Sequence, residues 1–468
     1  MKAVNQEGAS SQVFLTRANL TLTFTVILCV LFFAPWSKPL WLDEGLHFSL
    51  GDMSLQEVLQ AIDYTSIEIN HGQTGVYMLV DWALMQVFGA NLFFLRLPSF
   101  IAGTVLMWAS VVFLRGRGMT WIWQFFGILA ISSTPMFIYF LGEARPYMPL
   151  AAAAVCMFAY FSAPAAQRSS FSIRFIGFLG LVIGALFHPY WIYFFVLSVA
   201  FGYLVRWLDG SRPRGKKETF AYAGSWMTAV ALTLFVLVGQ MTWMRWIREF
   251  AYDPFEKIGG LGEFWTRLLV SHFYFGNILI LLTLVVVAVL VLILRVGKPG
   301  LRIVFPAILL CLLALGSSMG ISYLSFSRSY WIFERQWVGG ALLSSIALVW
   351  LFGSIDKALR AENSWYWRLP SMIFLGLVVL AFFNSIQSHL QSQESWKVQL
   401  ESFAADQRPI SEVMVEFSDA DMVYAANVNA VRGGVVWPIF TEWYLKQAGM
   451  RPEFREKNPS WTRYLFTN

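Results

Sequence analysis

The side chains in this sequence that could do chemistry gather at a few points. Asp43-Glu44 follows Trp41-Leu42, and after it come His71, Arg96, Glu143-Ala144-Arg145-Pro146-Tyr147, His188, His272, Arg328 and Glu334-Arg335. A carboxylate such as Asp43 can take the proton of an attacking hydroxyl or amine. Read without context, most of these residues have plainer uses. An Asp-Glu dipeptide is usually a solvated loop pair, Arg96 near Pro98 anchors a helix end, His188-Pro189-Tyr190 breaks a helix, and Arg328 is a loop charge. Arg145 is harder to dismiss, because an arginine set between Ala144 and Pro146 at the start of an apolar run is costly to place. What decides between the two readings is whether the fold brings these residues to one place.

The elements that must position them are transmembrane helices. Of 468 residues, 57% are hydrophobic and only 13% charged, against about 25% charged in a soluble domain. The apolar runs reach roughly 18 to 22 residues, the length that spans a bilayer core. They lie near 19–36, 74–90, 97–114, 121–141, 146–163, 173–187, 190–207, 222–243, 276–294, 303–323, 337–353 and 370–387. Lys2 and Arg17 precede the first run and no small-residue cleavage site follows it, so it reads as an uncleaved span. The net charge of +6 is no nucleic-acid footprint, because the basic residues sit in short clusters between apolar runs. Such clusters face the cytoplasm. With the N-terminus inside, Arg115/Arg117, Arg168/Arg174, Arg206 to Lys217, Arg295/Lys298/Arg302 and Lys357/Arg360/Arg368 all face inward only if run 74–90 does not span. That run carries Asp81 and Gln86, and an ionisable residue at mid-bilayer costs roughly 2.5 to 3.5 kcal/mol. We therefore lay it on the outer surface, which leaves about eleven spans with the N-terminus cytoplasmic and the C-terminus periplasmic.

This topology puts the candidate residues on one side, as a crown of carboxylates, histidines and arginines at the outer ends of the spans, and such a crown suggests an active site at the outer membrane surface. The first outer loop, 37–96, is acidic, and Ser54 with Glu57 makes a capping-box pattern, so it is expected to hold surface helices near 54–63 and 74–89. A second outer loop, 244–275, mixes Trp243, Trp246, Tyr252, Trp265 and Tyr274 with charges. The chain divides into a membrane domain over 1–388 and a polar periplasmic segment over 389–468, read as α+β with strand-like stretches at 413–417 and 422–424 and a helix over 439–447. Cys29, Cys156 and Cys311 lie in apolar runs, without metal-ligand spacing. No phosphate-binding glycine loop, zinc spacing or nucleophile elbow occurs, so a nucleotide-sugar donor is not expected.

The order Trp41-Leu42-Asp43-Glu44, His71-Gly72, Phe88-Gly89, Leu95-Arg96-Leu97-Pro98-Ser99, Glu143-Ala144-Arg145-Pro146-Tyr147 and then Phe333-Glu334-Arg335 resembles the GT-C glycosyltransferases that use a polyprenyl-phosphate sugar, among them the protein mannosyltransferases and the lipid A aminoarabinose transferases. The likeness covers roughly the first 190 residues, and His71-Gly72-Gln73 departs from the family's His-Pro-Pro. It implies an all-α polytopic membrane protein of the bacterial inner membrane and an inverting transfer at its periplasmic face. Asp43 is then the catalytic base and Glu44 its catalytic neighbour. His71, Arg96, Glu143, Arg145, Tyr147, His188, Arg328 and Arg335 are the substrate-binding candidates, with Arg145 and Arg335 on the lipid phosphate. The expected partners are a polyprenyl-phosphate-linked sugar donor, membrane lipid, and a glycan, lipid or protein acceptor. No cofactor is required, although Asp43, Glu44 and His71 could share a divalent cation. The alternative is a flippase or transporter of lipid-linked sugars, which calls for polar residues near mid-bilayer; Gln240 and Gly316-Ser317-Ser318 are the stretches that favour it.

Overall fold

A computed structural model describes residues 4–35, 37–59, 62, 75–164, 167, 170–208, 231, 253–275, 278–360, 365–413, 418–434, 436, 439 and 440. Among the described residues there are helices and turns and no strand. In chain order the main helices are α1 (Val4–Phe33), α2 (Leu42–Ser49), α3 (Val76–Phe88), α4 (Leu92–Gly116), α5 (Trp121–Ser132), α6 (Pro135–Leu141), α7 (Tyr147–Ser162) and α8 (Phe171–Phe187). They continue with α9 (Trp191–Leu208), α10 (Leu261–His272), α11 (Ile278–Val296), α12 (Lys298–Ser327), α13 (Val338–Leu359), α14 (Leu369–Ala405) and α15 (Asp419–Val431).

Ten of the eleven runs read as spans coincide with apolar helices, and run 222–243 lies outside the described residues except for residue 231. Among the described residues six helices are long and apolar enough to cross a membrane, and α5 with α6, bent through 67° at the break between them, passes the same test as a pair. The apolar part of α1, α7 and α8 are shorter. The bend has a local cause. Pro135 has no N–H to continue the ladder of α5, and the Thr134 hydroxyl donates back to Ile131 O at 2.7 Å.

Two small-residue helices form the centre. α7 is buried along nearly its whole length, and the span that ends in α13 is 100% buried. Small side chains let membrane helices approach closely, where dispersion rather than water drives packing. A Cβ on Gly340 of α13 would stand 2.6 Å from the Ala314 carbonyl of α12. A Cβ on Gly202 of α9 would stand 2.3 Å from the Phe161 carbonyl of α7. The outer ring includes α11, which is 22% buried and presents Leu279, Val286 and Leu294 outward, as a lipid-facing helix does.

Charges separate by end. At one end Arg115 meets Asn19, Arg117 lies over Trp350, Asp356 pairs with Arg360 and Arg368, and Arg295 stacks on Trp367 at 3.5 Å. At the other end lie α2, α3, α10, the turn Glu334–Trp337 and α15. α3 belongs wholly to that second end. Its 13 residues make about 20 Å of helix, short of a bilayer core of about 30 Å. Trp82 donates to Met53 O, and Gln86 to Gly51 O.

Three local readings change. Asp43 and Glu44 sit in the first turn of a helix, α2, where the sequence suggested a loop. The capping box forms as expected, with Ser54 N donating to Glu57 Oε2 at 2.8 Å. In the tail, Met422–Tyr424 is helical rather than strand-like: Ser418 and Asp421 cap α15 reciprocally and set it going as a helix. Val413 ends a helical turn, while residues 414–417 and 441–447 lie outside the described residues. α14 runs unbroken through residue 389, so the polar segment is joined to the membrane domain by continuous helix. α15 then folds back onto the first outer loop, where Asn427 bonds both Leu40 N and Leu40 O at 2.7 Å.

Candidate active site

The site is built on the loop between α6 and α7, residues 142–146. Three buried side chains hold that loop by its backbone. Lys38 Nζ donates to Gly142 O at 3.4 Å, Ser99 Oγ donates to Glu143 O at 2.6 Å, and Ala144 N donates to Glu44 Oε1 at 3.0 Å. Pro35 packs so closely that a Cβ on Gly142 would lie 1.9 Å from it. The anchors come from the loop after α1, from α4 and from the first turn of α2, so three separate segments fix the loop's position.

Asp43 is the junction of the cluster. Its Oδ2 lies 2.7 Å from Arg145 Nη1 and 3.4 Å from Arg335 Nη1. Arg335 comes from the turn Glu334–Trp337, nearly three hundred residues from Asp43 by chain number. The Tyr147 ring lies between the two guanidiniums, 5.7 Å from that of Arg145 and 5.8 Å from that of Arg335. Burial is the largest influence and works against the Arg145 charge, and Asp43, Tyr147 and Glu143 together more than offset it, holding the guanidinium above its ordinary pKa. Arg145 is 1% exposed; its Nε has no hydrogen-bond partner and its Nη1 meets Asp43 as an ion-pair contact without an aligned hydrogen bond.

A cavity of about 870 Å³ opens in front of this cluster. Asp43, Glu143 and Arg335 stand on its wall with Tyr139, Tyr274 and Trp331, and Arg145 lies one layer behind Asp43. Glu143 is buried beside Tyr139 and Lys38, and among the described residues no aligned hydrogen bond reaches either carboxylate oxygen. Burial pushes its carboxyl up to about 7, with Lys38 opposing.

The other candidates separate into groups. Glu44 does not reach the cavity wall. It is fully buried and receives both Nε and Nη2 of Arg96, at 2.9 and 2.8 Å. Burial pushes the Glu44 carboxyl up, and Arg96 with Lys38 more than offsets this, so it stays charged. Arg96 also donates to the carbonyls of Pro35, Lys38 and Pro39. This pair staples α2 to α4; it positions Asp43 and is out of reach of the cavity. His188 lies beneath Tyr147, its Nδ1 accepting from Tyr190 N. Burial pushes its imidazole down to about 3, so it is neutral and holds no anion by charge. Arg328 is exposed at the end of α12, away from the cluster. His272 is buried between Leu268 O and Ser318 and serves packing. His71 lies outside the described residues. As for a divalent cation, Asp43 and Glu44 each face a guanidinium, and among the described residues no three His, Cys, Asp or Glu side chains converge as metal ligands.

Sequence reading missed a second buried pair. His47 Nδ1 meets Asp81 Oδ2 at 2.7 Å, with both side chains fully buried. The pair docks α3 on α2 and accounts for the carboxylate in an otherwise apolar helix. Burial favours the neutral form of each, pushing Asp81 up and His47 down. The signal was available: His47 stands four residues after Asp43, on the same helix face, and Asp81 was the anomaly in its run.

No family model matches the chain, and no curated protein matches it. Among solved structures the chain is similar to ArnT from Cupriavidus metallidurans bound to undecaprenyl phosphate, with a TM-score of 0.44 and 14% sequence identity over 94% of this chain and 78% of that one. That degree of similarity carries no argument about what this chain binds or does.

Proposed function

We propose that this protein is an inverting membrane glycosyltransferase of the bacterial inner membrane, taking a sugar from a polyprenyl-phosphate donor at the periplasmic face. The observation that carries the reading is Asp43 shared by two guanidiniums at the wall of a large cavity, at one end of an apolar helical bundle.

The charges suit the reaction. Arg145, Arg335 and Asp43 sum to one positive charge, and a sugar phosphodiester brings one negative. When the acceptor oxygen attacks the anomeric carbon, the bond to phosphate breaks and its electron pair stays on the phosphate oxygen, which gains a second negative charge. The acceptor's proton passes to Asp43, which loses its charge. The cluster is neutral before and after, so the leaving phosphate is stabilised without a general acid. Arg335 stands on the cavity wall to meet the phosphate, and Arg145 holds Asp43 from behind. The prenyl chain has an apolar recess of about 230 Å³ beside the cavity, lined by Val270, Phe275, Leu377 and Leu380 and sharing Tyr274 with it.

Undecaprenyl phosphate binding to the purified full chain, measured by native mass spectrometry, tests the reading. Arg335→Ala should weaken binding by about 1.5 to 3 kcal/mol, a lost charge-assisted hydrogen bond. Asp43→Asn should bind this lipid at least as tightly, since a carboxylate no longer competes for the guanidiniums. Its transfer should nevertheless fall by about two orders of magnitude. Parent-like binding by Arg335→Ala, or parent-like transfer by Asp43→Asn, sinks the assignment.

A further inference from the structure

A second cavity of about 220 Å³ lies beside the first, and Pro135, Tyr139 and Tyr274 line both. Its far wall is one face of α14, where Ser385, Ser388, His389, Ser392 and Trp396 recur at helical spacing. Lys38 closes it from the loop after α1.

This stretch of α14 differs from the one below it. From Leu369 to Phe383 the helix is apolar, and it borders the recess assigned to the prenyl chain. From Asn384 onward every turn carries polar side chains, so the slot stands where the helix leaves the hydrocarbon. His389 is 3% exposed; the Phe32 backbone interacts with its ring, and among the described residues no aligned hydrogen bond reaches Nδ1. A buried ring nitrogen held this weakly beside a cavity calls for a polar group there. Lys38, 9% exposed, has its ammonium 4.6 Å from the Tyr139 ring centre, and its one hydrogen bond to Gly142 O is long. The slot therefore pairs aromatic surfaces, Tyr139, Tyr274 and Trp396, with hydroxyl, imidazole and ammonium groups. A carbohydrate ring combines a C–H face, which packs on aromatic rings, with hydroxyls that satisfy such groups. Among the described residues no carboxylate and no lipid-length apolar wall lines the slot, which sets it apart from the donor side. Ser388 is exposed and Trp396 partly so, leaving the slot open to a chain that arrives from water.

We propose that this slot is the acceptor subsite, and that it takes the terminal sugar of a glycan, whose hydroxyl reaches Asp43 past Tyr139. The proposal rests on the transferase reading and narrows the acceptor from glycan, lipid or protein to a carbohydrate end.

Ser388→Trp and Ser392→Trp fill the slot, and Trp396→Ala removes its stacking surface. Each is to be expressed in a strain lacking the protein. Envelope glycans are read by mass spectrometry, and undecaprenyl phosphate binding and the melting temperature are measured on the purified full chain. All three variants should bind undecaprenyl phosphate within about twofold of the parent, since Ser388, Ser392 and Trp396 line the slot and not the first cavity. Their glycan product should fall by at least about tenfold, while Ser395→Trp, at an exposed position of α14 outside the slot, changes neither. Parent-level product from the filled slots overturns the proposal. Loss of undecaprenyl phosphate binding with an unchanged melting temperature also overturns it, by giving the slot to the donor. If the strain lacking the protein shows no glycan change, or Arg335→Ala binds the lipid like the parent, the transferase reading itself has failed.

Discussion

Glu143 is a buried carboxylate that no aligned hydrogen bond reaches among the described residues. Its ordinary value is 4.5 and burial raises it to about 7. The folded state thus prefers the proton, and the stability present below 4.5 is lost as pH rises through about 7. A gap of that size corresponds to roughly 3 kcal/mol. Glu143→Gln removes the ionisation, so it should raise the melting temperature above pH 7 and change it little near pH 5. Superimposable melting curves at pH 8 would rule out a buried carboxylate whose ionisation the fold opposes at this position. Single residues were unevenly legible. Arg145 stands out by its costly position, and Asp43 and Arg335 by the motif order that carries the resemblance. The Glu44–Arg96 staple did not, since nothing in two residues 52 apart announces a bidentate pair. Glu44 was taken for a catalytic residue because it neighbours Asp43, yet successive helical residues point about 100° apart. One reaches the cavity and the other the core.

Elements carry the placement. The loop 142–146 is fixed by Lys38, Ser99 and Glu44 and by the fit of Gly142 against Pro35. Gly142→Ala has no room for its methyl, and overpacking of this kind costs about 1 to 3 kcal/mol. It should lower the melting temperature and, because the loop carries Arg145 into contact with Asp43, weaken undecaprenyl phosphate binding as well. A variant that melts and binds like the parent would show that the loop is not held as described. Helices were legible wherever an apolar run was long. α2 was hidden because its eight residues are polar at the start and its stability comes from burial of Leu46, His47 and Phe48 against other elements. The strand reading at 422–424 failed for a related reason: a short apolar triplet fits either period, and the Ser418–Asp421 cap decided for helix.

At the scale of the whole molecule, the charge pattern predicts which end faces which compartment. Gly118 lies at the basic end, 3.1 Å from Lys357 by its would-be Cβ, and the acidic loop with Asp43 lies at the other. A cysteine placed at 118 should be reached by a membrane-impermeant thiol reagent only after the inner membrane is opened, while one at the exposed Ser54 should be labelled in intact spheroplasts. Labelling of position 118 from outside reverses the topology and, with it, the compartment of the reaction. This end-to-end organisation was legible early, because counting basic clusters needs no structure. The cavity was not, since its walls come from α2, α6, α10 and the turn before α13, which are neighbours only in three dimensions.

The segregation of charge also has an electrical consequence. Asp43, Arg145, Arg335 and Glu143 all stand at one end of the bundle, so every proton and phosphate charge that moves in the proposed reaction stays on one side of the hydrocarbon. Work against a transmembrane voltage is about 2.3 kcal/mol per charge per 100 mV only when the charge crosses. Transfer in proteoliposomes should therefore keep the same rate when a potassium gradient with valinomycin sets the voltage to either sign. A rate that follows the voltage would point instead to a carrier that moves its charged cargo through the membrane.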